Sequence, residues 1–227
     1  MPQKVAVLHT SFVFVNVEPM VNDLIAELMP DAEVLHFVDS DVLATVIREG
    51  TISERSQHRM THLAQAAEEA GADVIFSACS SLGPTLDAAR RAVSVPIVKI
   101  DDAMAERAAA QANRIGVLAT VPTTLGPTAD LIAEKAASQG REVTLVKHLC
   151  DGAFGVLMGG DRDTHDAMVR EGAVELAKDV DMIVLAQASM ARLAPALAEA
   201  TGLTVMASPR LGIQDLADQL ARSTAKA

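Results

Sequence analysis

The chain has 227 residues, half of them hydrophobic, with no Trp or Tyr, so aliphatic side chains must fill any core. Its 30 Asp and Glu outnumber 19 Lys and Arg, a formal net charge of −11 that excludes the basic surface needed for nucleic acid or anionic membranes. Two cysteines do not make a disulfide framework. Along the chain, short apolar runs rich in β-branched residues predict strands at 5–8, 33–38, 74–76, 97–100, 115–118, 143–146, 183–185 and 203–206. Longer helix-like stretches separate them, such as 53–70 and 163–179. Several strand runs are apolar throughout, the pattern of parallel strands covered by helices on both faces. The βαβα rhythm predicts an α/β architecture built on parallel sheets. No apolar run reaches the roughly 18 residues that span a bilayer. Met1-Pro2-Gln3-Lys4 leads into the first strand without a charged-then-apolar leader, so the expected location is cytoplasmic.

The sequence is written twice. Val5-Ala6-Val7-Leu8-His9-Thr10 recurs as Ile115-Gly116-Val117-Leu118-Ala119-Thr120, and Leu24-Ile25-Ala26-Glu27 recurs as Leu131-Ile132-Ala133-Glu134. Asp73-Val74-Ile75-Phe76-Ser77-Ala78-Cys79-Ser80-Ser81 recurs as Asp181-Met182-Ile183-Val184-Leu185-Ala186-Gln187-Ala188-Ser189. Repetition of this length predicts two copies of one folding unit, a first α/β lobe over 1–97 and a second over 98–207. A last helix near 213–222 has its counterpart in 102–112, and segment 208–227 can return to either lobe. If the lobes form a pseudo-symmetric pair with a site in the cleft between them, Cys79 is the counterpart of Gln187. A thiol moves a proton at neutral pH and a carboxamide does not.

Ligands of open parallel sheets bind beyond the carboxyl ends of the strands. Four segments fall there: His9-Thr10-Ser11, Cys79-Ser80-Ser81, Thr120-Val121-Pro122-Thr123-Thr124 and Gln187-Ala188-Ser189. Hydroxyls with helix-start N–H groups make an uncharged anion cradle, and four such segments converging outweigh plain helix capping by Ser and Thr. Cys150 follows the 143–146 run, is matched to an apolar position of the first repeat, and reads as core packing. His58 and His62 stand four apart on a helix, but without the Glu of HExxH or a third ligand they do not read as a metal site. No Gly-rich nucleotide motif is present.

These residues resemble the aspartate/glutamate racemase superfamily, with its hydantoin racemases, maleate isomerases and arylmalonate decarboxylases. The carriers are His9-Thr10-Ser11, Ala78-Cys79-Ser80-Ser81, the run from Ile115 to Thr123, and Ile183-Val184-Leu185-Ala186-Gln187-Ala188-Ser189-Met190. The resemblance implies two lobes with the site between them, neither metal nor organic cofactor, and a thiol pair acting on the carbon beside a carboxylate. It places Cys79 as the first catalytic cysteine and Ser80, Ser81, Thr120, Thr123, Thr124 and Ser189 where the family holds its substrate carboxylate. Three departures matter. The second cysteine falls on Gln187, the Asn-Thr that often follows the first cysteine is Ser80-Ser81, and His9 stands where glutamate racemases carry an Asp.

Racemisation needs a titrating group on each face of the carbon, and Gln187 offers hydrogen bonds only. It can orient a carboxylate or steady an enolate, or it can be a structural amide that bridges backbone. Cys79, at an expected helix start, should have thiolate character. His9 is a candidate second titrating group. The expected function is a cofactor-independent, cysteine-dependent isomerase of a small organic acid. The rivals are a one-thiol lyase or decarboxylase, and a non-catalytic small-acid binding protein. The expected partner is a small carboxylate, with no nucleic acid or membrane, and a homo-oligomer is compatible with the sequence.

Overall fold

The computed structural model describes residues 2–12, 15 and 19–224. Residues 1, 13–14 and 16–18 of the expected first lobe, and 225–227 of the segment 208–227, lie outside them. By internal contact the chain divides into a first unit, Met1–Ile100 with Pro209–Ala227, and a second unit, Asp101–Ser208.

In the first unit, β1 (Lys4–His9), β2 (Glu33–Val38), β3 (Val74–Ser77) and β4 (Ile97–Lys99) form one parallel sheet in the order β2-β1-β3-β4. Apart from half-buried Lys4 the two central strands are buried, and their runs Val5–Leu8 and Val74–Phe76 are apolar on both faces. Ala6, Leu8, Ile75 and Ile97 pack with side chains of α2 (Val42–Glu49), α3 (Glu54–Glu69) and α4 (Leu86–Ala92). Helix α3 shows how locally this is written. The Ser53 hydroxyl accepts from the Ser56 N–H at 3.3 Å and caps the first turn, while Met60, Ala64 and Ala67 recur at helical spacing and are buried. Helix α1 (Met20–Leu28) buries Val21, Leu24 and Ile25.

The second unit repeats the plan. Its strands β5 (Arg114–Ala119), β6 (Thr144–Leu149), β7 (Met182–Leu185) and β8 (Thr204–Ala207) are parallel in the order β6-β5-β7-β8. Its helices are α5 (Asp102–Gln111), α6 (Pro122–Ser138), α7 (Ala153–Met158), α8 (Arg162–Leu176) and α9 (Ala194–Thr201). Leu118, Ile183 and Leu185 pack with Val169, Ala173 and Leu176 of α8 and Leu197 of α9. Gly116 stands where the first repeat has Ala6, and the reason is steric. A Cβ there would lie 2.7 Å from Leu176 Cδ2, so the second unit brings its helix closer to the strand.

Three sequence expectations shift. Strand β6 runs to Leu149 instead of stopping at residue 146, because pairing with β5 continues through Lys147 and His148 on a half-buried edge strand. Helix α8 ends at Leu176, three residues short of 179. Cys150 is not equivalent to an apolar position. Its N–H donates to the Ala119 carbonyl at 2.8 Å as Asp39 N–H donates to His9 at 3.0 Å, so its counterpart is Asp39. It is nevertheless buried in the core of its unit.

The last helix, α10 (Ser208–Thr224), packs from Pro209 onward with the first unit. Gly212 permits this, since a Cβ there would overlap the Ile100 carbonyl, its carbon only 2.9 Å away. Ile213, Leu216 and Leu220 are buried, and Arg210 makes a two-point ion pair with Glu27 of α1 at 2.8 and 2.9 Å. Among the described residues no helix is long and apolar enough to cross a membrane.

Candidate active site

Each unit presents the same exit from its third strand. β3 ends at Ser77 and runs through Ala78 and Cys79 into a 3₁₀ turn, Ser80–Thr85, before α4. β7 ends at Leu185 and runs through Ala186 and Gln187 into a 3₁₀ turn, Ala188–Leu193, before α9. The Ala78 N–H donates to the Leu8 carbonyl at 3.1 Å and the Ala186 N–H to Leu118 at 2.9 Å, so the central strand fixes both exits alike. The backbones match closely: φ and ψ are −134° and 110° at Cys79, −133° and 131° at Gln187. The two side chains therefore leave equivalent frames, and their chemistry differs by side chain alone. The α-helix start expected at Cys79 is a six-residue 3₁₀ turn, so the argument from a long helix dipole does not apply to this thiol. Cys79 is partly exposed, while Ser80 and Ser81 behind it are buried.

Gln187 is buried and its carboxamide is spent on its own unit. Oε1 accepts from the Thr120 N–H at 2.6 Å, the Val121 N–H at 3.1 Å and the Thr120 hydroxyl at 3.2 Å. Nε2 donates back to Thr120 Oγ1 at 2.9 Å. This corrects the expected cradle at the start of α6. The two backbone N–H groups that would receive a carboxylate already hold the Gln187 oxygen. Thr124 is likewise turned inward, its hydroxyl donating to the Val121 carbonyl at 2.8 Å. Of the remaining predicted residues on these two turns, Thr123 and Ser189 are partly exposed and Ala188 is buried.

His9, the candidate second titrating group, sits where its charged form is disfavoured. His9 ends β1, is 1 % exposed, and shares a hydrogen bond of 3.0 Å between its Nε2 and Nδ1 of His36. Burial, and then the neighbouring His36, lower its pKa from 6.5 to about 4, so it is neutral at pH 7. Strand alternation adds a geometric objection. His9 has the parity of Val5 and Val7, whereas Cys79 packs against the cluster of Ala6, Leu8 and Ile75. Thr10 is buried and Ser11 partly exposed.

Three features were missed by sequence reasoning. His36 pairs with His9 across neighbouring strands, which only the strand register reveals. Lys99 ends β4, is buried, faces Ser77 in register, and runs its side chain past Gly83 of the Cys79 turn. A lysine closing an otherwise apolar buried strand is the signal that could have found it. Arg192, at the far end of the Gln187 turn, makes a two-point ion pair with Asp166 of α8 at 2.5 and 2.6 Å. That guanidinium holds the Asp166 carboxyl below the usual carboxylate range.

Cys150 packs in the same core cluster as Met190 and Leu193 of the Gln187 turn. Burial pushes its thiol up to about 11, which keeps it protonated and unreactive at neutral pH. It sits against α8 beside His148, where Gly172 leaves the room: a Cβ there would lie 2.6 Å from Cys150 Sγ and 2.9 Å from His148 Nε2. His58 and His62 lie on α3.

Residues 15–216 match the model of the Asp/Glu/hydantoin racemase family. Comparison with curated proteins gives no significant match. Among solved structures, a glutamate racemase from Bacillus anthracis is 17% identical, with a TM-score of 0.76 over 97% of this chain and 82% of its own. An allantoin racemase from Klebsiella pneumoniae is 19% identical, with a TM-score of 0.69 over 97% of this chain and 88% of its own. A variant of arylmalonate decarboxylase in a sulfate-associated form is 17% identical, with a TM-score of 0.58 over 96% of this chain and 93% of its own. At these identities the solved structures establish the shared fold, and the family model covers most of the sequence: the chain belongs to the Asp/Glu/hydantoin racemase family.

Proposed function

We propose that this member of the racemase family is a cofactor-independent isomerase that uses the Cys79 thiol beside the carboxylate of a small organic acid. The observation that carries the reading is the contrast between the two strand exits. One offers a partly exposed thiol, and its equivalent offers a buried carboxamide tied into its own loop. A neutral, buried His9 is a weak base and, at pH 7, carries no proton to donate as an acid from an imidazolium. The chemistry then runs on one thiol.

One thiol is enough to isomerise an unsaturated acid. The thiolate sulfur forms a bond to one alkene carbon, and the π electrons move onto the conjugated carbonyl group. The former double bond rotates as a single bond. The electrons return, the carbon–sulfur bond breaks, and the thiolate is regenerated. Thr10, Ser11, Ser80 and Ser81 supply the hydroxyls and N–H groups for the carboxylate.

Gln187 in place of a second thiol also favours a second reading, a one-thiol decarboxylase. There the bond to the leaving carboxylate breaks, carbon dioxide departs, and the enolate takes the Cys79 proton, which water then restores. The test is turnover of a panel of small chiral, unsaturated and malonate-type acids by wild type, Cys79→Ala and Gln187→Ala. The proposal expects no turnover without the thiol and impaired turnover without the carboxamide. Acid binding that survives Cys79→Ala, with no turnover of any acid by wild type, would make the protein a sensor instead.

A further inference from the structure

We infer that Gln187 is a built-in occupant of an anion site of the second unit. Three donors converge on its Oε1: the N–H groups of Thr120 and Val121, consecutive along the chain, and the Thr120 hydroxyl, at 2.6, 3.1 and 3.2 Å. Adjacent N–H groups aimed at one oxygen form a nest suited to a carboxylate or phosphate oxygen. This nest opens the 17-residue helix α6, whose peptide dipoles favour negative charge at that end. A neutral amide oxygen fills it here, with more donors than one amide oxygen needs. The arrangement is clamped from both sides, because Nε2 donates to the Thr120 hydroxyl that in turn donates to Oε1. The carboxamide is also buried, so no anion reaches the nest while Gln187 stays in place.

The experiment is a titration of ¹⁵N-labelled protein with inorganic phosphate, followed at the Thr120 and Val121 amide resonances. In wild type these two should not move at concentrations that shift the Ser80 and Ser81 amides. In Gln187→Ala they should move and saturate, with phosphate bound there at least about tenfold more tightly than in wild type, since charge-assisted bonds replace neutral ones. Gln187→Asn, which withdraws the oxygen by one methylene but keeps a polar amide, should behave likewise and guards against misfolding of the alanine variant. Gln187→Glu keeps an oxygen in the nest and should leave both amides unmoved by phosphate. Equal shifts in wild type and Gln187→Ala, or no shift in well-folded Gln187→Ala and Gln187→Asn, overturn the inference. Because the readout is anion binding at two amides, its failure is separate from a failure of Cys79-dependent turnover.

Discussion

The exits of β3 and β7 share a backbone course, and at its equivalent point one carries Cys79 and the other Gln187. At the first, Cys79 is partly exposed ahead of two buried serines. At the second, Gln187 is buried and supplies or receives four hydrogen bonds with Thr120 and Val121. A repeat gives a protein two equivalent positions, and here one carries a partly exposed thiol while the other fastens a loop. The repeats also differ at neighbouring equivalent positions, His9 against Ala119 and Ala6 against Gly116.

The contrast is broken most sharply by removing the thiol. Cys79→Ala should lower kcat by about 10³-fold or more, because in the proposed reading the thiol is the nucleophile or acid. Steady-state turnover checks it, and a residual rate within tenfold of wild type would remove the thiol from the mechanism.

The pair His9 and Ala119 predicts a pH effect on one unit. With a folded pKa of about 4 against 6.5 in the unfolded chain, the unfolded state binds more protons between those values. The stability tied to neutral His9 is therefore complete above pH 6.5 and is lost as pH falls, by about 3 kcal/mol at pH 4. Urea unfolding across this range should show the decline, and His9→Gln should flatten it. An unchanged slope in His9→Gln would mean that His9 is not held neutral. The same variant should leave the neutral-pH rate largely intact, since His9 is not a titrating catalyst in this account.

A smaller effect is expected at the other exit. Gln187→Ala should reduce kcat/KM by about tenfold to a hundredfold through a loosened Thr120 loop, in line with loss of buried hydrogen bonds. A loss as deep as that of Cys79→Ala would make the two exits chemical equals. The smallest effect separates Ala6 from Gly116. Gly116→Ala should cost about 1 kcal/mol, because the clashing atom is the movable end of Leu176, whereas Gly212→Ala meets the Ile100 backbone and should cost about 3 kcal/mol. Denaturant midpoints check both.

Much of this was written locally in the sequence. The strand positions and the two-unit plan follow from apolar runs such as those starting at Val5 and Ile115, since buried parallel strands leave little room for polar residues. The Cys79 and Gln187 exits follow from aligning the repeats. What was not legible depends on contacts between distant segments. The Gln187 bonds to Thr120 and Val121 span 67 and 66 residues and have no spacing signature. The lowered pKa of His9 needs its burial and the β1–β2 register that brings His36 beside it. The edge strand β6 was misplaced because Lys147 and His148 interrupt its apolar run while their backbones still pair. The return of α10 to the first unit hangs on Gly212, a single missing Cβ against Ile100.

The central claim is that one thiol, and no second titrating group, does the proton or addition chemistry. The most direct test is turnover of the best acid from the panel in D₂O, with products resolved by face and by enantiomer. The account predicts alkene isomerisation or bond cleavage, or deuterium delivered to one face only. Deuterium at the α-carbon of both enantiomers, with the racemic mixture accumulating, would contradict it.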